Sequence, residues 1–146
     1  MESDYLPEFK IPVPKTDKKI KETYTVNELK TLLKKPNLKD TEFGEYRMWV
    51  FSNYLLGTGN RISSVLIIKI EDLDFKNNLI QVDIAKNRKA HIIPMSNALS
   101  EILKEYLEYR GGESKDYLFC TISGTKAAKK TYQDALSRYN KFCAPI

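Results

Sequence analysis

Two cations stand where residue type and spacing favour work on a phosphate. Arg61 sits in Gly57-Thr58-Gly59-Asn60-Arg61, a glycine-loosened turn between a strongly apolar segment and a short helical one. Glycine lets the backbone approach a ligand closely, and free amides at a helix start favour an anion. Arginine keeps its charge at any working pH and offers a planar fork that matches two phosphate oxygens. The alternative is an arginine that satisfies carbonyls at a nearby helix end. Lys86 sits in Ala85-Lys86-Asn87-Arg88-Lys89, between two short segments of strand character. A lysine on a stiff hairpin tip can hold a phosphate or deliver a proton. Hairpin tips are also exposed, and commonly carry lysine with no chemistry attached. A third cluster, Lys126, Lys129, Lys130, Thr131 and Tyr132, opens the last helical segment. On its own it reads as a solvated helix start.

Groups that other chemistries need are scarce. One histidine, His91, rules out a His-rich metal site, and two cysteines, Cys120 and Cys143, fit a reduced cytosolic protein better than a disulfide scaffold. The longest apolar runs, such as Val65-Leu66-Ile67-Ile68, are too short to cross a bilayer, and no apolar stretch follows Met1. Neither a membrane span nor a secretory leader is expected. With 146 residues, 42% of them hydrophobic, the chain has room for one cored domain, or one domain and a tail. Its net charge of +5 is modest, and clustering says more. Ile84 to Met95 holds Lys86, Arg88 and Lys89 with no acid. Thr121 to Ala144 sets Lys126, Lys129, Lys130, Arg138 and Lys141 against Asp134 alone. Acids gather instead at Glu71, Asp72 and Asp74 and at Glu101, Glu105 and Glu108. One basic face and one mixed face suit a nucleic-acid binder, although composition alone equally allows scattered solvated charge.

The elements that must position these cations follow from periodicity. Residues 1–22, with Pro7, Pro12 and Pro14 and then a lysine-rich stretch, read as a tail or linker, and 23–146 as the folded part. Thr25-Val26-Asn27-Glu28 is a capping box that opens a helix with Val26, Leu29, Leu32 and Leu33 in one stripe, stopped by Pro36. A second helix is expected over about Glu42 to Leu56. It is apolar nearly all round, hence central, and is broken by Gly57 and Gly59. A short helix at Ile62 to Leu66 and a polar turn through Glu71-Asp72 come next. Leu79–Ile84 and Ala90–Met95 then make two strands of a hairpin with the basic loop at its tip. Ser96 caps a helix with Leu99, Ile102, Leu103, Tyr106 and Leu107 on one face, closed by Gly111-Gly112. Tyr117–Thr121 is extended. Lys130–Phe142 is a last helix with Tyr132, Ala135, Leu136 and Tyr139 aligned. The expected class is α+β, mostly helical, with a small antiparallel sheet.

Taken together, these motifs resemble one family. Leu55 to Ser63 is similar to the first box of the tyrosine recombinases, or phage integrases, which reads Thr-Gly-x-Arg-x-Ser-Glu. Ile70-Glu71-Asp72-Leu73-Asp74-Phe75 is similar to the turn that follows that box. Lys86 to Met95, ending Ile93-Pro94-Met95, resembles the family's β-hairpin, whose catalytic lysine is followed by a basic loop and a Val/Ile-Pro-Leu ending. Tyr24 to Leu29 resembles the start of the family's catalytic domain, and the tail its interdomain linker. The match runs in order over about Tyr24 to Lys141. It implies a truncated recombinase catalytic domain that acts on double-stranded DNA through a 3′-phosphotyrosyl intermediate. No metal or nucleotide cofactor would be needed, because the bond energy is kept in the covalent link. Arg61 would stabilise charge on the non-bridging oxygens, and Lys86 would protonate the leaving 5′-oxygen. Arg88, Lys89, Lys126, Lys129, Lys130, Thr131 and Tyr132 would face DNA. The resemblance further implies a homo-oligomer on DNA for the full-length protein, a cytoplasmic location and no membrane partner.

Two departures matter. Ser64 replaces the acid that follows Arg-x-Ser, and no His-x-x-Arg box with a following tyrosine occurs in the sequence. The expectation is therefore a fragment of a site-specific recombinase that does not cut DNA alone, with none of its nine tyrosines nominated as nucleophile. The other reading is a non-catalytic DNA-binding or regulatory module built on the same fold, and the plainest is a helical interaction domain with no nucleic-acid role.

Overall fold

A computed structural model describes residues 23–84 and 89–143, with backbone alone at 83–84, 89–90 and 142–143. The expected linker, and the hairpin tip with Lys86 and Arg88, lie outside the described residues. Helix α1 (Val26–Leu32) opens on the anticipated box: Thr25 Oγ1 accepts the Glu28 amide at 3.3 Å, and the Glu28 carboxylate accepts the Thr25 amide at 2.7 Å. Its stripe is shorter than expected. Leu32 is buried, but Val26 is 68% exposed. The helix has only two turns, and the core holds it by its C-terminal carbonyls. Trp49 Nε1 donates to Leu33 O at 2.9 Å, and the Tyr139 hydroxyl donates to Leu32 O at 3.2 Å.

Helix α2 (Phe43–Thr58) is the central rod, and runs two residues past the expected end. It buries Tyr46, Met48, Trp49, Val50, Phe51 and Tyr54, positions spread round the whole circumference, so every side of it needs a partner. Gly59 ends it in the left-handed region at φ 68°, where its amide returns to Leu55 O at 2.8 Å. Helix α3 (Ile62–Val65) follows at once.

The sheet has one strand more than the sequence indicated. Strands β2 (Leu79–Ile84) and β3 (Lys89–Pro94) pair antiparallel from Leu79 opposite Pro94 to Ile84 opposite Lys89. A two-residue strand β1 (Leu73–Asp74) adds to β2, with Leu73 opposite Ile80. Two residues cannot show a period, which is why β1 is invisible in the pattern. The β1–β2 turn is tied by the Asp74 carboxylate, which accepts the Lys76 and Asn77 amides at 3.0 Å each. Ile80 and Val82 face the core and Gln81 faces out, as the alternation requires.

Helix α4 (Asn97–Arg110) is capped by Ser96, whose Oγ accepts the Leu99 amide at 3.1 Å, and buries Leu99, Leu103 and Tyr106. Helix α5 (Lys129–Cys143) buries Tyr132 and Tyr139. The extended piece before α5 carries Phe119. Its ring meets Phe51 at 5.0 Å, Tyr106 at 5.6 Å and Tyr54 at 5.9 Å, so one side chain joins α2 to α4. Tyr132 of α5 closes the cluster, with its ring 4.8 Å from Phe51. The expected α+β class, mostly helical with a small antiparallel sheet, is the fold found.

A polar latch fixes the α1–α2 connection to α4. Lys35 Nζ lies 2.7 Å from Glu105 Oε2, and the Tyr46 hydroxyl donates to Oε1 at 3.0 Å. The Lys35 ammonium, and after it the Tyr46 hydroxyl, hold Glu105 below the usual carboxylate range against partial desolvation. A carboxyl that is more acidic in the folded state adds stability above its ordinary pKa, and that stability fades as pH falls through the lowered value. Glu105→Gln is therefore expected to flatten the acid limb of the stability–pH curve in urea melts, leaving its neutral limb parallel to wild type. Phe119→Ala is expected to cost about 3–5 kcal/mol at neutral pH, read from the urea midpoint. A cost under about 1 kcal/mol would remove the ring cluster as the tie between α2 and α4.

Candidate functional site

Arg61 is set by the end of the central rod. Thr58 Oγ1 donates back to Tyr54 O at 2.8 Å, Gly59 turns the chain, and Asn60 Nδ2 lies 3.5 Å from the Tyr54 hydroxyl. Arg61 is then the extended N-cap residue of α3, and its carbonyl accepts the Ser64 and Val65 amides at 2.9 and 3.2 Å. Its side chain is exposed. Among the described residues no hydrogen bond or ion pair engages its guanidinium, so the alternative role of satisfying nearby carbonyls is not the one it takes. The Ser64 side chain makes no hydrogen bond to Arg61 either, in line with the missing acid.

Helix α3 packs against α5, which puts Arg61 beside the helix that begins with Lys129 and Lys130. Lys126, Lys129, Lys130 and Thr131 are all exposed, and no acid stands in the first turn of α5. A helix start carries partial positive charge, so unpaired lysines there oppose the fold's own dipole. Tyr132 departs from this group and corrects the expectation that it faces DNA. Its side chain is 2% exposed, its hydroxyl donates to Cys120 O at 3.0 Å, and burial pushes its phenol up to about 12. The ring is an anchor for α5. Lys86 and Arg88 lie outside the described residues, and for Lys89 only the backbone, paired with Ile84, is described.

Several buried tyrosines are poorly suited to act as nucleophiles. Burial raises the phenols of Tyr54 and Tyr106, and burial with the Glu105 hydrogen bond raises that of Tyr46, all of which disfavours phenolate. Among the described residues no cluster of three or more His, Cys, Asp or Glu is gathered to hold a metal ion, and no helix is long and apolar enough to cross a membrane. Sequence reasoning missed a second pair of cations, Arg47 on α2 and Arg110 at the end of α4. They meet at Cys120: Arg47 Nη1 donates to its carbonyl at 3.1 Å, and Arg110 Nη2 to its sulfur at 3.1 Å. No spacing in the sequence could reveal this, since the three residues are brought together only by the packing of α2, α4 and the 117–121 segment.

Comparisons with known proteins agree with this fold. The model of the phage integrase family matches residues 22–143. The chain is 33% identical to the tyrosine recombinase XerD of Staphylococcus saprophyticus over 98 residues, which cover 67% of this chain and 32% of that protein. Among solved structures it is similar in fold to XerA recombinase, with a TM-score of 0.68 and 23% identity, over 84% of this chain and 43% of that one. It is also similar in fold to the Tn1549 transposon integrase, solved in complex with transposon right end DNA, with a TM-score of 0.64 and 20% identity over 86% and 47% of the two chains. The chain thus spans about a third of the length of the XerD relative.

The turn that presents Arg61 gives a stability test. Gly59→Ala is expected to cost about 1–2 kcal/mol, because a Cβ is strained at φ 68° even though nothing lies within 4 Å of it. Gly44→Ala, in the first turn of α2 and equally open, is expected to add about 0.4–1 kcal/mol. Equal effects of the two in thermal melts would show that Gly59 is not held left-handed.

Proposed function

Because the chain belongs to the phage integrase family, we propose that it is part of a site-specific recombinase that cleaves and rejoins DNA strands. The observation that carries this reading is the exposed, unengaged guanidinium of Arg61 at the head of α3, beside the helix whose start carries Lys129 and Lys130. Exposed cations grouped at two helix starts are well placed to meet an anion, and a phosphodiester strand is one extended enough to meet several of them.

In the proposed reaction a tyrosine hydroxyl passes its proton to a general base that, like the tyrosine, is assigned to no residue of this sequence, and its oxygen attacks the scissile phosphorus. The bond to the 5′-oxygen breaks, and a 3′-phosphotyrosyl ester forms. Arg61 binds the non-bridging oxygens as negative charge builds on them. Lys86 hands its proton to the departing 5′-oxygen and takes it back when that hydroxyl, or one from another strand, attacks in reverse. Lys126, Lys129, Lys130 and Thr131 hold the flanking backbone, and Lys89 and Arg88 the groove beside the hairpin. The attacking tyrosine is assigned to no residue of this sequence, which contains no His-x-x-Arg box. This chain by itself is proposed to bind duplex DNA without cutting it. That same lack supports a second reading, a non-catalytic DNA-binding module.

Fluorescence titration with duplex DNA tests the binding half. Affinity is expected to fall steeply with salt, and Lys126, Lys129 and Lys130 changed together to Ala should reduce the log–log salt slope by about 1 for each phosphate no longer neutralised. No binding at low salt would end the nucleic-acid reading. The chemical half needs a protein in which this segment is followed by a His-x-x-Arg box and a tyrosine. There Arg61→Ala should lower cleavage by about 10²–10³-fold with binding kept within a few-fold. Covalent adduct formation by the present chain on a nicked duplex would refute its proposed inactivity.

A further inference from the structure

A cavity of about 320 Å³ opens between α2, the end of α4 and the 121–125 turn. It lies far from Arg61. Arg47, on its wall, stands eleven residues before the end of α2, about 16 Å along the axis. The volume is roughly that of ten liquid waters.

Two arginines line this space, and both are short of partners. Arg110 donates from Nη1 to Gly111 O at 2.8 Å, and from Nη2 to Tyr117 O at 2.7 Å and to Cys120 Sγ at 3.1 Å. Arg47 engages only one of a guanidinium's five donors in this way, its Nη1 on Cys120 O, while its plane lies 5.6 Å from the Tyr132 ring centroid. In both side chains the Nε–H is buried away from solvent and has no hydrogen-bond partner among the described residues, so it is the Nη groups that can face an occupant of the cavity. Neither guanidinium is in an ion pair among the described residues, where the paired cations are Lys35, Lys69 and Lys104. The acid on the cavity wall, Asp116, has Oδ2 committed to the Glu113 amide at 2.8 Å. The two cations share one field, since both act on the phenols of Tyr106 and Tyr132 and oppose the upward push of burial there.

Two guanidiniums against the one carboxylate of Asp116 leave this wall positive, with Nη–H donors of Arg47 still free among the described residues, and that favours an entering anion. Water would satisfy the donors and leave the charge. An oxyanion answers both, because its several oxygens can accept from two forks at once. Gly112 contributes to the shape of the site: a Cβ there would run into Arg110 Nη1, so the guanidinium occupies room that only glycine leaves open.

We propose that this cavity is a second oxyanion site, which takes a phosphate- or sulfate-class anion between Arg47 and Arg110. The site does not depend on the recombinase reading, and its occupant is either a free oxyanion or a backbone phosphate of bound DNA.

Arginine Nε–H resonances of the ¹⁵N-labelled protein provide the test, with Arg47→Lys and Arg110→Lys used to assign them. Inorganic phosphate, added at constant pH and at ionic strength matched with sodium chloride, should shift the Arg47 and Arg110 signals together along one saturating curve, and sulfate should do the same. Either Lys variant should weaken the half-point by about tenfold. If Arg110→Lys does not fold, the wild-type titration and Arg47→Lys still decide. No shift with inorganic phosphate, sulfate or duplex DNA, or the same shift with chloride alone, would overturn the proposal and leave water as the occupant. A second arm adds duplex DNA in phosphate-free buffer. Movement of the two signals with DNA but not with inorganic phosphate supports the site with a DNA phosphate as its occupant, and movement with inorganic phosphate supports a free oxyanion.

Discussion

The packing of aromatic rings around Phe119 is the constraint from which the rest of the molecule follows. Helix α2 is apolar on every side, so no single neighbour can cover it. The sequence answers by bringing α4, α5 and the extended 117–121 segment against it, and the ring of Phe119 is where they meet. Interiors pack at near-crystalline density, so rings 5–6 Å apart from several elements fix relative positions to a fraction of an ångström. Everything polar at the surface inherits its place from that arrangement. Tyr132 shows how. Its ring sits among Phe51 and Phe119, and its hydroxyl ties to the Cys120 carbonyl, so the first turn of α5 is held in place from within.

Against that rigid interior the cations are set with little regard for the fold's own electrostatics. Arg61 caps the start of α3, and Lys129 and Lys130 open α5, at ends where the backbone already presents positive partial charge. Each such placement costs a few tenths of a kcal/mol to about 1 kcal/mol, small beside the burial of the aromatic core. Acidic residues meanwhile supply the structural ties: Glu28 in its capping box, Asp74 in its turn, Glu105 in its latch. Lys35, Arg47 and Arg110 share in those ties, while Arg61, Lys126, Lys129 and Lys130 are left exposed at the surface. That arrangement, more than the net charge, is what the proposed DNA-binding reading would use.

Much of this was legible in the residues. The all-round apolar character of Glu42 to Leu56 placed α2 at the centre, the alternation in Leu79 to Ile84 gave the sheet, and Gly57 to Arg61 gave the turn that presents Arg61. Tyr132 was legible too, and two signals disagreed about it. Its period with Ala135, Leu136 and Tyr139 pointed inward, while its neighbours Lys130 and Thr131 drew it into a DNA-facing group; the period was right. Val26 failed for the opposite reason, because a two-turn helix can dock by its last carbonyls and leave its first apolar residue in water. The Arg47–Cys120–Arg110 meeting had no signature at all. It ties Cys120 to residues 73 and 10 positions away through a carbonyl and a sulfur, and neither acceptor has a spacing that a pattern could detect.

The left-handed glycine that ends α2 carries an implication for how such a chain can change over time. The same rod that locks the rings at one end delivers Arg61 at the other, with only Gly59 and Asn60 between them. Substitutions along it can be absorbed locally, but a codon gained or lost within it cannot. One residue more or fewer turns all that lies beyond by about 100° and slides it about 1.5 Å. The guanidinium would then swing to another side of the molecule while the core stayed put. Helix length, rather than the identity of any one side chain, sets the direction in which Arg61 points.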